Sequence, residues 1–274
     1  MTTSCAIVLS LSLLCYLSAA LLLQGDFILR RHTWSRWGRL ILTGGGAINA
    51  LGVLIHLLVS QQPPFSHMLV VASIFIVVML GVGLFIESYF HIRHLSLLQA
   101  PLAFLGLLYA VLMPVRLPEA ESILLRYPWL GVHVAISMLG LVGFALSCAT
   151  AIIYLLQMKL LKQGRLDRFL PALDTTAQAT YYLAAGGFSF FSVGLGMGVI
   201  WYFDLTEARP EADDLKIWLS LPTWILYGTY LYMRGITGRH SSRLKWLVIA
   251  GFLLALVNLF GVRHHFGLAA SVLP

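Results

Sequence analysis

Histidine is the residue type with the greatest capacity for chemistry in this sequence. Nine histidines stand in a chain in which 59% of residues are hydrophobic. Neutral imidazole is the commonest metal ligand among protein side chains, and its charge changes near neutral pH. Five lie near the ends of long apolar runs, namely His56, His67, His133, His264 and His265. The other four lie among arginines, which favours solvated positions: His32, His91, His94 and His240.

The elements that position these side chains must be membrane helices. Only 11% of the 274 residues are charged, and the mean hydropathy is +0.86. This composition excludes a soluble globule with a polar coat. A spanning helix needs about 20 apolar residues, so the sequence predicts an all-α polytopic membrane protein, a bundle of about eight transmembrane helices. The predicted spans are 4–24, 40–60, 67–87, 95–113, 129–158, 178–202, 217–233 and 246–263.

The basic residues predict how these spans are oriented. Cytoplasmic loops of membrane proteins carry an excess of Lys and Arg. Thirteen of the 18 such residues follow the odd-numbered spans: Arg30, Arg31, Arg36, Arg39, Arg93, Lys159, Lys162, Arg165, Arg168, Arg234, Arg239, Arg243 and Lys245. We therefore expect a multi-pass protein of the bacterial inner membrane with both termini on the outer, periplasmic side. The lipid bilayer accounts for the net charge of +7 without a nucleic-acid partner.

The first apolar run, Cys5 to Gln24, has no basic residue before it and is long for a signal peptide. We expect it to be a retained span. The three cysteines, Cys5, Cys15 and Cys148, fall in apolar runs without a C-x-x-C-H site, which disfavours covalent haem. The joins between spans are short, so no loop has room for a soluble catalytic domain. The sequence predicts no enzymatic turnover.

With this topology, the five histidines near span ends lie at a similar depth on the outer side. An ionisable side chain at membrane depth is costly and marks a functional site. Two imidazoles on facing helices can occupy both axial positions of haem iron, and His133 with His264 form the pair that we favour. Zinc is a weaker candidate, because H-E-x-x-H is absent and no acid or cysteine joins these histidines at ligand spacing.

Two further features favour non-covalent haem b at this pair. Helical spacing puts small residues and a ring on the face below His133, which suits a planar macrocycle: Ser137, Gly140 and Phe144. Basic side chains at the same outer level are candidates for binding the propionates: Arg126, Lys216 and Arg263. Gly194-x-x-x-Gly198 has the spacing that lets two helix backbones approach closely, although a slot for a flat ligand is the alternative.

Three stretches resemble the cytochrome c assembly family of the CcsA type, which includes smaller HemX-like and YpjD-like membrane proteins. WLGVHVAISMLGLVGFALSCATAIIYLLQ is similar to its H-V-x-x-x-x-L-G-Y span, and LDTTAQATYYLAAGGFSFFSVGLGMGVIWYF to the next span, ending in G-x-x-W. LPTWILYGTYLYMRGITGRHSSRLKWLVIAGFLLALVNLFGVRHHFG resembles the closing helix pair with its terminal H-x-[YF]-G. The resemblance covers about residues 40–267.

The resemblance implies that the chain handles haem in the membrane. His133 matches the first external haem ligand of the family, and His264, with His265 beside it, matches the second. Where other members carry a W-G-x-x-W-x-W-D platform, this chain has YFDLTEARPEADDLKIW, with Trp201 and Trp218 at its edges. The intramembrane histidine of the penultimate helix is replaced by Tyr232. We therefore expect haem binding or sensing rather than ligation of haem to apocytochrome.

The resemblance divides the chain into an N-terminal three-helix region, 1–94, and a haem-handling region, 95–274. Its implied partners are other cytochrome c maturation or haem-synthesis proteins. Three alternative functions stay open: a b-type electron-transfer cytochrome, a non-haem transporter, and a HemX-like regulator of haem synthesis that docks a partner at its cytoplasmic face.

Overall fold

The computed structural model describes residues 3–29, 32–60, 68–90, 92, 95–112, 128–164, 172–206, 215–236 and 241–261. These residues form α-helices and short turns, without a strand. The helices are α1 (Thr3–Leu29), α2 (His32–Ser60), α3 (Met68–Tyr89), α4 (Leu95–Leu112), α5 (Pro128–Lys162), α6 (Leu173–Thr206), α7 (Leu215–Leu231) and α8 (Leu244–Gly261). A π-helical turn, Tyr232–Ile236, follows α7 directly.

Six of these helices are long and apolar enough to cross a membrane. They are α1 to α6, and the apolar part of α8, Leu244–Leu259, is shorter. The prediction of an all-α polytopic membrane protein is confirmed. Helix α5 continues to Lys162, beyond the predicted end of the span at residue 158, and Lys159 and Lys162 suit its negative C-terminal dipole. Gly164 then ends it with a φ of 69°, a conformation that glycine adopts without steric cost.

The chain divides into two compact units. Unit one comprises Met1–Gly131 with Leu156–Ala179, and unit two comprises Val132–Leu155 with Thr180–Pro274. This division follows contacts within the chain, whereas the predicted boundary at 94/95 follows the family resemblance. That boundary stays a prediction.

In unit one, α1 and α2 pack antiparallel through three glycines spaced seven residues apart on α2. A Cβ added to Gly38 would lie 2.7 Å from Cγ of Leu23, and one added to Gly52 would lie 2.9 Å from Cγ1 of Val8. Gly45, between them, faces Cβ of Cys15 at 2.8 Å. Two heptads of small residues thus let the helix axes approach closely, as expected for association inside a bilayer.

In unit two, the backbones of α5 and α6 meet through facing glycines. A Cβ added to Gly143 would lie 2.6 Å from Cα of Gly187, and one added to Gly140 would lie 2.7 Å from the backbone nitrogen of Phe191. Close packing of the two backbones therefore occurs here at glycines for which the sequence analysis made no packing prediction. It is limited to particular positions, since a Cβ at Gly186 would meet nothing within 4 Å.

Tyr227 of α7 joins this helix pair to α8. Its fully buried ring stacks on Phe144, with centroids 3.6 Å apart and an interplanar angle of 10°. Its hydroxyl donates to the carbonyl of Val248 at 3.1 Å, so the polar end of the ring is satisfied. Gly251 makes room for the ring, because a Cβ there would lie 2.8 Å from Cε2 of Tyr227.

We predict that Gly143→Ala lowers the free energy of unfolding by about 1–3 kcal/mol, because overpacking forces two backbones apart. The matched control is Gly186→Ala, which adds the same methyl group to open space. Thermal unfolding of both variants in detergent, followed by intrinsic fluorescence, measures the difference. Equal stability of the two variants would contradict the close contact between α5 and α6.

Candidate functional site

His133 lies near the start of α5 and is half-buried in unit two. Its Nδ1 forms a hydrogen bond of 2.8 Å with the carbonyl oxygen of Gly194 on α6. A carbonyl only accepts, so Nδ1 carries the hydrogen in this bond. The neutral ring then has its lone pair on Nε2, which is the tautomer that a metal ligand needs, and the carbonyl holds the ring orientation as in known metal sites.

The α6 surface against His133 is shaped by two glycines one turn apart. A Cβ added to Gly198 would lie 3.0 Å from Cε1 of His133. A Cβ added to Gly194 would lie 3.2 Å from Cα of Ser137, the next turn of α5. Gly194-x-x-x-Gly198 is therefore a packing motif, and its second glycine makes the space that the imidazole occupies.

The helix face below His133 is closed, and the expectation that it accommodates a macrocycle is wrong. Gly140 touches the α6 backbone, and Phe144 is stacked between neighbouring rings, with the Phe191 centroid at 5.2 Å. The spacing correctly placed these residues on one face. That face is filled by α6, so any planar ligand of His133 must lie elsewhere around the ring.

The remaining predicted site residues are only partly described. His264, His265, Arg263 and Arg126 lie outside the described residues, as does His67. The α6 backbone includes position 201, where the sequence has Trp201, on the same helix face as Gly194 and Gly198. The convergence of five outer histidines stays a prediction.

His56 is buried at 7% exposure in α2 and belongs to unit one, whereas His133 belongs to unit two. Among the described side chains, no three His, Cys, Asp or Glu approach closely enough to hold a metal ion.

Three buried charged side chains in the described helices were missed by the sequence reasoning: Asp26 of α1, Glu87 and Lys245. Glu87 of α3 is 9% exposed; it accepts a hydrogen bond from Ser96 at 2.5 Å and pairs with Arg39 at 3.4 Å. The sequence feature that could have indicated its burial is that Glu87 is the single charged residue in the apolar run 68–89. Lys245 was expected in a cytoplasmic loop, but it lies in α8 and is 4% exposed. The reason is that Lys245 directly follows a run of basic loop residues in the sequence and was counted with them.

Comparison with known proteins places the chain in a family. The sequence matches the family described as "Cytochrome C assembly protein" over residues 46–268. The chain belongs to the cytochrome c assembly family. It is thus a multi-pass membrane protein of cytochrome c biogenesis, in agreement with the resemblance seen in the sequence.

Individual relatives agree with this membership. Protein HemX of Brevibacillus brevis is 32% identical over 188 residues, covering 67% of this chain and 68% of that protein. Cytochrome c biogenesis protein CcsA of Chlamydomonas reinhardtii is 25% identical over 184 residues, covering 63% of this chain and 51% of that protein. Protein HemX of Bacillus subtilis (strain 168) is 27% identical over 132 residues, 47% of this chain and 48% of that protein. No solved structure matches the chain.

We predict that Gly198→Ala displaces the His133 ring, because the new methyl group would lie 3.0 Å from Cε1. Gly196→Ala is the control, since its methyl group would meet nothing within 4 Å. The measurement is the NMR signal of protein labelled with 13C at histidine Cε1, with the His133 resonance assigned by its loss in His133→Ala. An unchanged resonance in Gly198→Ala would show that α6 does not confine the ring.

Proposed function

We propose that the protein binds haem b non-covalently at the outer face of the bacterial inner membrane, with His133 and His264 as axial ligands. The bound haem is handled or sensed for cytochrome c assembly, and the protein itself catalyses no reaction. The region 95–274 carries this haem site, and 1–94 is an N-terminal three-helix region. The observation that carries the proposal is the hydrogen bond between His133 Nδ1 and the Gly194 carbonyl, in a chain of the cytochrome c assembly family.

The donor chemistry around His133 fits haem iron. The Gly194 carbonyl selects the Nε2 lone pair and restricts rotation of the ring, which lowers the entropic cost of ligation. Haem would supply one-electron chemistry at its iron when bound, and the chain would supply ligation and orientation. Arg263 and Arg126 stand near these positions in the sequence and are proposed to contact the propionates, with Trp201 beside the macrocycle. His265 is the alternative to His264 as axial ligand.

Membership of the family also supports the proposed partners. The CcsA relatives are named for cytochrome c biogenesis. We propose that other cytochrome c maturation or haem-synthesis proteins exchange haem with this chain. The tryptophan-rich segment of the family is absent, so we propose an accessory role in haem delivery or sensing, without binding of apocytochrome.

Absorption spectra of the detergent-purified protein, oxidised and reduced, test this proposal. We expect low-spin b-type bands in the parent and their loss, or conversion to high spin, in both His133→Ala and His264→Ala. The physical reason is that iron with one imidazole has a weaker ligand field than iron with two. Extraction of the haem by acidified acetone would establish that it is not covalently attached.

Two control variants test whether the spectral changes are specific to the proposed ligands. His240→Ala removes a histidine that the topology assigns to the opposite side, and it should leave the bands unchanged. His265→Ala should retain low-spin haem if His264 is the axial ligand. Absence of haem from every form, even after haem is supplied, would overturn the proposal and bring the transporter function forward. Reduction of bound haem by quinol would favour an electron-transfer cytochrome.

A further inference from the structure

Unit two contains a buried lysine, Lys245 of α8. It packs beside Tyr154 of α5, which is far along that helix from His133. Lys245 is 4% exposed, and its Nζ donates a hydrogen bond of 3.1 Å to the hydroxyl of Tyr230. The same Nζ lies 5.0 Å from the ring centroid of Tyr154 and 5.3 Å from that of Tyr230. Tyr154 follows His133 by 21 residues on one helix, which corresponds to roughly 30 Å. This cluster is therefore separate from the proposed haem site.

The cation at this position has no acidic residue to neutralise it among the described side chains of unit two. The acids of unit two all lie between residues 204 and 214, and residues 215–261 contain no Asp or Glu. A lysine at a helix end normally extends its ammonium group towards water. Lys245 instead points inward, where burial of an ammonium is costly without an opposite charge. One phenol and two ring faces compensate only part of this cost.

A second cation lies near Lys245, and a second phenol lies near Tyr230. Arg234, half-buried in the π-helical turn, is close enough to Lys245 and Tyr230 to act on both electrostatically. Gly235 beside it is exposed, and a Cβ added there would lie 3.0 Å from the hydroxyl of Tyr181. The absence of a side chain at residue 235 thus lets the hydroxyl of Tyr181 approach the backbone of the π-helical turn. Single π-helical turns of this kind often occur at functional sites.

We propose that Lys245, Arg234 and the hydroxyls of Tyr181 and Tyr230 form a binding site for the anionic head group of a membrane amphiphile. Ammonium, guanidinium and phenol groups together bind phosphate or carboxylate through charge-assisted hydrogen bonds. The rings of Tyr232 and Trp246 are 54% and 62% exposed on the same two segments, and such rings favour the membrane interface. An acidic phospholipid supplies the phosphate, and a porphyrin supplies the carboxylate.

The test measures binding of three probes to the full-length, detergent-purified protein. The probes are phosphatidylglycerol in phosphatidylcholine nanodiscs, metal-free protoporphyrin IX, and inorganic phosphate; phosphatidylcholine alone is the blank. Binding is followed by native mass spectrometry and by the shift in unfolding temperature.

We expect Lys245→Met to weaken binding about tenfold, as for loss of one charge-assisted hydrogen bond. The matched control is Arg243→Met, which removes an exposed cation two residues away and should change binding less than about twofold.

A second variant protects the test against loss of folding in Lys245→Met. Gly235→Ala keeps both cations but presses its methyl group against the hydroxyl of Tyr181, so it should weaken binding while the unfolding temperature without probe stays unchanged. Binding of phosphatidylglycerol alone identifies a lipid site, binding of the porphyrin identifies a cargo site, and binding of phosphate identifies a soluble anion. The proposal is wrong if the parent binds no probe above the blank, or if Lys245→Met and Gly235→Ala both bind as the parent does.

This site does not depend on haem ligation at His133. Metal-free protoporphyrin has no iron for an imidazole to ligate, so His133→Ala should leave binding of all three probes unchanged. Loss of haem bands in His133→Ala and loss of probe binding in Lys245→Met therefore test two separate proposals, and either can fail alone.

Discussion

The close approach of the α5 and α6 backbones is the constraint on which unit two depends. Hydrocarbon surrounds these helices, so burial of apolar surface does not drive them together, and tight packing must do so. Gly143 and Gly187 allow this contact, which continues through Gly194 and Gly198 to His133. The carbonyl that orients the imidazole is thereby part of the same helix contact that stabilises the fold. A site held by a helix backbone is more rigid than one held by long side chains.

Several polar groups inside the two units form hydrogen bonds across helices, because the bilayer core has no water to bond them. In unit one, the Gln99 amide donates to the carbonyl of Met79 at 3.0 Å, and it has room because Gly83 lacks a side chain. Glu87 has Ser96 and Arg39 as partners. Lys245 differs from these groups, since its neighbours are phenols and a second cation. A buried group without an opposite charge is a better candidate for ligand binding than a neutralised pair.

Membership of the cytochrome c assembly family and the geometry of His133 both support the proposed haem site in unit two. A fixed imidazole tautomer stands near one end of α5, and an unneutralised cation stands beside the other end. Under the proposed function, the imidazole would bind haem iron, whereas a cation of this kind suits the anionic carboxylates of a porphyrin.

The sequence by itself determined the helical membrane fold, because each span needs a long apolar run and such runs are read directly from the chain. It also identified the family, and His133 as a ligand candidate. Tertiary structure alone decided that the face below His133 is closed by α6, that Gly194 supplies the carbonyl, and that Lys245 points inward. Helical spacing tells which residues share a face, but the neighbour of that face is decided by packing between helices distant in sequence.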